Sequence, residues 1–249
     1  MATPLNGSLI KAFEILDLLS EQRPQTTAAD VAKALDMSPS TAHRFLVTLE
    51  EVGALVQVRR GVYSLGHHMA QLGRIAERTD PLATLVQPVI TQVSGHLNES
   101  VMAGTLSRDG VVCLATAIAP RSISVNIQVG RLLDLHVSAQ GKIWLADMPA
   151  QDRDARLDAL VRSGALTGAG ARALLHEIEQ ARQDGFACNR GESEPDIGAV
   201  AVPVFDAAGT LRLTISAFGM ASRFTPDHVA WIAAQLAEAA SEVTAAIPA

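Results

Sequence analysis

The sequence has few of the residues that define several large classes of protein. Its 249 residues include two cysteines, Cys113 and Cys188, which excludes a disulfide framework and a cysteine-rich zinc site and favours a reducing cytosol. It has no run of about 18 apolar residues that could cross a membrane, and its start lacks the pattern of a signal peptide. We therefore expect a cytoplasmic protein with no membrane partner.

Basic charge is also scarce. The formal net charge is −6, and residues 1–80 carry eight Lys and Arg against nine Asp and Glu, which excludes a general nucleic-acid coat. Local contact with DNA remains open, because a positive patch can arise from placement alone. The hydrophobic content of 48% with 18% charged residues is typical of a chain that folds into one large or two ordinary domains.

Residues 27–65 have the pattern of a winged helix-turn-helix. A helix is predicted to begin at Thr27, which with Asp30 makes a capping-box-like start. After a short turn, Ser38-Pro39 begins a second helix with a hydroxyl cap and a proline at its first position. The apolar residues of this second helix recur at helical spacing: Ala42, Phe45, Leu46 and Leu49.

A short hairpin is predicted to follow the second helix. Gly53 suits the residue after the helix end, and two β-prone runs, 55–58 and 62–65, flank Arg59-Arg60-Gly61. Arginines at a hairpin tip suit the phosphate backbone or a narrow minor groove.

The second helix of a helix-turn-helix lies in the major groove of DNA. Its predicted outer side is rich in hydroxyl groups and carries one arginine. We therefore predict DNA contacts from this helix and from the hairpin arginines: Ser38, Ser40, Thr41, His43, Arg44, Thr48, Arg59 and Arg60. An alternative remains open, because the pattern also occurs in domains that use it for protein association beside a small-molecule-binding domain.

The remaining patterns predict an α+β two-domain chain. Helix 8–19 should pack under the helix-turn-helix, and helix 67–78 should be a linker with its apolar residues inward: Met69, Leu72, Gly73, Ile75 and Ala76. Strands are predicted at 100–106, 111–118, 123–127, 186–189, 197–205 and 211–218. Helices are predicted at 82–97, from 138, and at 152–162, 169–183 and 225–246. We expect a winged helix-turn-helix at 1–66, a linker helix at 67–80 and a sensor domain with an antiparallel sheet at 81–249.

Several segments together resemble one family. They are residues 8–19, residues 38–46 (SPSTAHRFL) followed by Leu49 and Gly53, residues 63–66 (YSLG), residues 99–101 (ESV), residues 136–142 (HVSAQGK) and residues 185–206, which include Glu192. On these segments the chain resembles the isocitrate-lyase-regulator (IclR) type of bacterial transcription regulators. The resemblance implies a GAF-like C-terminal effector domain, and a dimer or tetramer that binds near-palindromic double-stranded operator DNA as a repressor, an activator or both.

The resemblance also implies a site for a small-molecule effector in the second domain. The matching positions are Ala139, Gln140, Asn189, Ala199, Ser216 and Phe218. Members that bind small 2-oxo acids have a serine where this chain has Phe218, so we hypothesise a small aromatic or otherwise flat carboxylate or carbonyl compound. The alternative is that Phe218 only fills the core.

We predict no catalytic residue, no cofactor and no metal ligand. Ser138 and Lys142 lack the spacing of a known acyl-transfer site and are explained better by a helix cap and a lysine on a solvated or ligand-facing side. His67 and His68 have no nearby carboxylate or cysteine that could complete a zinc site with them. The helix-turn-helix pattern and the resemblance together predict a ligand-responsive regulator of transcription, and the resemblance implies that it controls a catabolic operon.

Overall fold

A computed structural model describes residues 4–247 of the chain. Residues 1–3 and 248–249, the outer ends of the two predicted domains, lie outside the described residues. The chain divides into two compact units, Met1–Arg78 and Thr79–Ala249. The first unit therefore takes in most of the predicted linker helix.

The first unit combines helices with a small antiparallel sheet. Its elements in chain order are α1 (Gly7–Leu16), β1 (Thr26–Thr27), α2 (Ala28–Ala34), α3 (Pro39–Glu51), β2 (Leu55–Arg59), β3 (Val62–Leu65) and α4 (His67–Thr79). The strand order is β1-β3-β2. Side chains from α1 to α3 and from the hairpin form its core: Ile15, Val31, Ala42, Leu46, Leu49, Ala54, Leu55 and Tyr63.

Local capping explains why α2 and α3 begin where they do. Thr27 and Asp30 form a reciprocal capping box, and the Ser38 hydroxyl accepts the Thr41 N–H at the start of α3. Gly53 follows α3 with φ of +76°, a left-handed conformation that favours glycine. The predicted helix starts and the predicted helix end are confirmed.

The apolar faces predicted for α1 and α4 have different outcomes. Helix α1 packs on the core as predicted, through the buried Ile15 and the half-buried Ala12 and Leu16, but it stops at Leu16, and Leu9 and Phe13 are 61% and 58% exposed. The prediction for α4 is wrong, because this helix buries none of its residues: Met69 is half-buried, and Leu72, Gly73, Ile75 and Ala76 are exposed. A helical apolar stripe predicts a face that can be buried, but the first unit buries little of the stripe of α4.

The second unit is a six-stranded antiparallel sheet with helices on both faces. Its elements in chain order are α5 (Pro81–Leu97), β4 (Ser100–Leu106), β5 (Val111–Ala117), β6 (Leu132–Leu133), α6 (Ala139–Asp147), α7 (Ala150–Ser163), α8 (Gly168–Asp184), β7 (Ala187–Arg190), β8 (Ile197–Phe205), β9 (Leu211–Met220) and α9 (Pro226–Ala246). The strand order is β6-β5-β4-β9-β8-β7. No helix within residues 4–247 is both apolar enough and long enough to traverse a bilayer.

The two faces of this sheet have different covers. On one face, α5 and α9 pack on a large apolar core that includes Val200, Ile215 and Ala217. On the other face, α6 and α8 cover one part of the sheet, and a small separate cluster of Met102, Cys113 and Phe218 lies under residues of an irregular segment. The alternation of side chains along each strand sends neighbours to opposite faces.

The predicted strand at 123–127 is wrong. The structure has neither helix nor strand from residue 118 to residue 131. The outer edge of β5 is taken by Leu132 and Leu133, and the Val125 carbonyl accepts a bond from the Ser100 side chain at 3.1 Å rather than from a neighbouring strand. Alternating apolar residues predicted a strand here, but they line a segment that packs on the sheet face.

Candidate functional site

The first candidate surface is the exposed side of α3. Ala42, Leu46 and Leu49 hold this helix against the core, and the opposite side is open to solvent. The predicted DNA-contacting residues of α3 on that side are exposed: Ser38, Ser40, His43, Arg44 and Thr48, with Thr41 half-buried.

Hydroxyl groups gather at the start of α3. The Ser38 oxygen lies 3.0 Å from the Ser40 oxygen and 2.8 Å from the Thr41 oxygen, beside the backbone N–H groups that begin the helix. This arrangement offers donors to a phosphate at the positive end of the helix dipole. Thr48 differs, because its hydroxyl donates to the Arg44 carbonyl at 2.8 Å.

The hairpin of β2 and β3 carries the other predicted DNA contacts. Arg59 is the last residue of β2 and pairs with Val62, so Arg60 and Gly61 make a two-residue turn. Gly61 has φ of +73°, which a tight hairpin turn requires. Both arginines are exposed and free to reach a phosphate backbone.

The second candidate surface is a row of residues across the sheet. Asn189 of β7 pairs with Ala199 of β8, Ala199 pairs with Phe218 of β9, and Phe218 pairs with Ser100 of β4. Directly opposite residues in antiparallel strands share a face. The sheet register thus brings three predicted effector residues, Asn189, Ala199 and Phe218, onto one face.

The next row on the same face joins a polar cluster to α6. Ser216 of β9 accepts a bond from the Gln140 amide at 2.7 Å, and Thr214 donates to the Gln140 oxygen at 3.0 Å. All three side chains are buried. Gln140 comes this close because Gly104 lies beneath it, where a Cβ would come within 2.3 Å of the Gln140 oxygen. Ala139, also buried, is the first residue of α6.

We call five side chains of this face the candidate patch: Met102, Cys113, Ala199, Ser216 and Phe218. Most of the patch is apolar and polarisable, because Met102 of β4 and Cys113 of β5 each contribute a sulfur and Phe218 contributes an aromatic ring. Ser216 supplies a polar group. A patch of this kind suits a small ligand with an apolar body and a polar end.

Asn189 organises the turn that follows β7. Its side-chain oxygen accepts the N–H groups of Gly191 and Glu192 at 2.8 Å and 3.0 Å. The amide NH₂ of Asn189 is the other polar group of this side chain and is a donor.

Lys142 is a buried structural cation. Its ammonium contacts the carboxylates of Glu177 at 2.6 Å and Glu192 at 3.1 Å and donates to the Cys188 carbonyl at 2.9 Å. The expectation of a solvated or ligand-facing lysine is wrong, because these partners lie on α8, on β7 and in the turn after β7 and bury the amine. Ser138 is the predicted cap of α6 and accepts the Gly141 N–H at 3.0 Å.

A buried carboxylate, Glu99, contacts two arginines. Glu99, which precedes β4, binds the Arg223 guanidinium through two contacts of 2.5 Å and 2.7 Å and lies 3.3 Å from Arg121. The hydrogen bonds that Arg223 donates to the Glu99 carboxylate raise the pKa of Arg223 above its ordinary value.

Sequence reasoning missed several residues near the predicted effector positions. Met102, Gly104, Cys113 and Thr214 lie on the same face, and Val125 and Ile127 pack against it. Thr214 could have been found from the two-residue alternation that joins it to Ser216 and Phe218. The others could not, because they come from strands and a segment about 100 residues earlier in the chain.

Two family profiles match the chain. The profile described as the IclR helix-turn-helix domain matches residues 8–59, and the profile described as Bacterial transcriptional regulator IclR C-terminal matches residues 76–245. Together they cover α3, the sheet and the candidate patch.

Curated relatives and solved structures agree with these matches. The chain is 29% identical to the HTH-type transcriptional regulator BhcR of Paracoccus denitrificans, over 95% of this chain and 86% of the relative. It is 25% identical to the HTH-type transcriptional regulator KipR of Bacillus subtilis, over 96% of each chain. Its fold matches the crystal structure of an IclR family transcriptional regulator from Brucella abortus with a TM-score of 0.89 at 21% identity, over 98% and 93% of the two chains.

Proposed function

Because this chain belongs to the IclR family of bacterial transcriptional regulators, a family of regulators and not of enzymes, we propose that it binds operator DNA under the control of a small-molecule effector. The regulated genes form a catabolic operon, on which the protein acts as a repressor, an activator or both. Effector binding shifts the population between operator-competent and operator-incompetent forms.

The exposed side of α3 is the observation that carries the DNA-binding half of this proposal. One arginine, Arg44, stands among short hydroxyl side chains there, so the helix can approach a groove closely while a planar donor reaches base edges. The hydroxyl cluster at Ser38 and the exposed Arg59 and Arg60 supply phosphate contacts. A local basic edge of this kind is compatible with the near-neutral first unit.

A homodimer is the working form that we propose. One recognition helix contacts too few base pairs to define a specific operator. A dimer presents two such helices, which bind two half-sites about 34 Å apart. The apolar side chains that α1 and α4 leave exposed support this proposal: Leu9, Phe13, Leu72 and Ile75. Uncovered apolar groups of this size are typical of protein contact surfaces.

Arg59 and Arg60 of the β2–β3 hairpin, which we call the wing, should contribute salt-dependent affinity for DNA. If each contacts one phosphate, Arg59→Ala plus Arg60→Ala should reduce the slope of log K against log salt by about 2, because fewer counterions are released. The measurement is fluorescence anisotropy of the full chain on labelled DNA from upstream of its own gene, between low and moderate salt.

The control for the wing is a double variant with the same loss of charge in the second unit, Arg162→Ala plus Arg172→Ala, both exposed. Its slope should stay that of the wild type. An equal slope for the wing variant and the control would contradict a phosphate contact by the wing.

The effector that we propose is a small aromatic or otherwise flat carboxylate or carbonyl compound. Phe218 lies at the centre of the candidate patch, so a flat ligand that enters the patch can stack on its ring. The N–H groups at the start of α6 and the donors of Asn189 and Ser216 support recognition of the polar end.

Calorimetry tests this effector class. Wild-type protein should bind benzoate more tightly than pyruvate, and Phe218→Ser should weaken benzoate binding about tenfold, in line with the loss of one stacking contact. Phe186→Ser is a matched control, because Phe186 packs against the core on the opposite face of the sheet. Tight binding of pyruvate alone, or equal benzoate binding by the two variants, would rule the aromatic effector out.

A further inference from the structure

An irregular segment covers the candidate patch. Residues 119–130, which we call the strap, join β5 to β6 without helix or strand. Val125 and Ile127 of the strap are half-buried and pack against Met102, Cys113 and Phe218, while Asn126 and Gln128 are exposed. Val125 and Ile127, two positions apart in the strap, therefore point onto the sheet face.

The strap is attached mainly at its ends. The Ser100 hydroxyl accepts the Ala119 N–H at 3.2 Å and donates to the Val125 carbonyl at 3.1 Å. Arg121 contacts the buried Glu99 carboxylate at 3.3 Å and donates to the Asn98 carbonyl. At the far end, the Gly130 N–H donates to the Cys113 carbonyl at 2.9 Å.

These attachments differ from those of the strands around them. The first half of the strap is held by side chains, one hydroxyl and one guanidinium, and not by a ladder of backbone bonds. Segments with few buried apolar contacts and few backbone bonds open at the lowest cost in a folded protein. The strap can therefore leave the patch while the sheet stays intact.

We propose that the strap is a displaceable cover of the effector site, and that Val125 and Ile127 occupy the position of the effector's apolar body when the strap is closed. This rests on the proposed function, because the covered patch is the proposed effector site. The matching ligand has a flat apolar body about as large as those two side chains together, and a polar end toward Ser216 and Gln140. Only molecules with an open strap can bind this ligand. The apparent affinity is therefore the affinity of the open form multiplied by the fraction of molecules in which the strap is open.

Cys113 reports on the strap without any effector. It lies under Val125 and Ile127 with 1% of its surface exposed, and burial raises the pKa of its thiol to about 12. Alkylation requires the thiolate, so Cys113 reacts when the cover opens. The other cysteine, Cys188, is half-buried and is removed by Cys188→Ala.

The experiment measures the rate of Cys113 alkylation by iodoacetamide in the full-length Cys188→Ala protein under native conditions. Ile127→Ala should raise this rate about tenfold, because it removes a contact that holds the strap down. Arg121→Ala should raise it several-fold while leaving the strap's apolar side chains unchanged. Ile123→Ala, in the same strap but 71% exposed, should leave the rate within about twofold of the parent.

A core variant separates strap opening from unfolding of the whole unit. Val200→Ala removes buried volume on the opposite face of the sheet and should destabilise the unit with little change in labelling. The proposal is overturned if Val200→Ala labels as fast as Ile127→Ala, or if both Ile127→Ala and Arg121→Ala label at the rate of Ile123→Ala.

Benzoate titration links the strap to the site. The fraction of molecules with an open strap determines both the Cys113 labelling rate and the benzoate affinity. Arg121→Ala should therefore raise the benzoate affinity by about the same factor as the labelling rate. An increase in labelling with unchanged benzoate affinity would overturn the strap's role as a cover of the site. Faster labelling with no benzoate binding by any variant would overturn the aromatic effector, and the strap would stand on the labelling data.

Discussion

Arg44→Ala should weaken binding to the cognate operator by one to two orders of magnitude. Loss of a bidentate contact from an arginine to a base edge costs about 1–3 kcal/mol, and Arg44 is the arginine on the exposed side of α3. Its side chain has no neighbour on that helix with the same fork of donors, since the nearby groups are hydroxyls and His43.

The chemistry of Arg44 predicts that charge alone will not restore binding. Arg44→Lys keeps the positive charge but loses the planar donor fork, so it should recover non-specific affinity and little of the preference for the operator. The measurement is anisotropy at one fixed salt concentration on the operator and on a scrambled duplex. Their ratio gives the specificity.

Arg172→Ala is the control for Arg44, because it removes one exposed positive charge from the second unit. It should change neither affinity nor specificity. Operator binding by Arg44→Ala within about twofold of the control would show that α3 does not read the operator through this residue.

Gly141→Ala should destabilise the second unit by about 3 kcal/mol, the upper part of the usual range for overpacking. A Cβ at this position would lie 2.3 Å from the Leu135 oxygen, 2.4 Å from its Cα and 2.6 Å from its carbonyl carbon. All three are backbone atoms, which cannot rotate out of the way. The close approach keeps α6 against the segment before it and so holds Gln140 over Ser216.

Urea unfolding followed by tryptophan fluorescence measures this effect in the correct part of the molecule, because Trp144 and Trp231 both lie in the second unit. Gly95→Ala is the matched control: Gly95 is exposed in α5, with nothing within 4 Å of an added Cβ. There alanine should raise the stability by roughly 0.5–1 kcal/mol. A wild-type midpoint for Gly141→Ala would refute the close packing at Leu135.

Local signals predicted the first unit well. The capping box of Thr27 and Asp30, the Ser38-Pro39 start and Gly53 after α3 each involve residues within four positions of one another. Capping and turn chemistry act over this distance, so sequence alone can identify them. The same reasoning identified the side of α1 that packs through Ile15 but failed for α4, because an apolar stripe does not say which element covers it.

The candidate patch shows the corresponding limit in the second unit. Resemblance pointed to Asn189, Ala199, Ser216 and Phe218, and the sheet register brings them to one face. It did not point to Met102 or Cys113, and the apolar residues of the strap were predicted to form a strand. A β-strand and an extended segment that packs on a sheet face have the same alternation of apolar and polar residues. Which of the two forms depends on whether a sheet edge is available for pairing, and here the edge of β5 is paired with β6.

By itself, the sequence determined the helix-turn-helix, most of the strands and helices, and the family, since these depend on short-range patterns of apolar, capping and turn residues. The tertiary structure alone decided that residues from β4, β5, β8 and β9 meet on one face, that Gln140 is bound between Thr214 and Ser216, and that the strap lies over them. These contacts join residues 70 or more positions apart in several cases. The free energy of these long-range contacts comes from the pairing register of the sheet and from side-chain packing. Both are properties of the whole folded unit and not of any local segment.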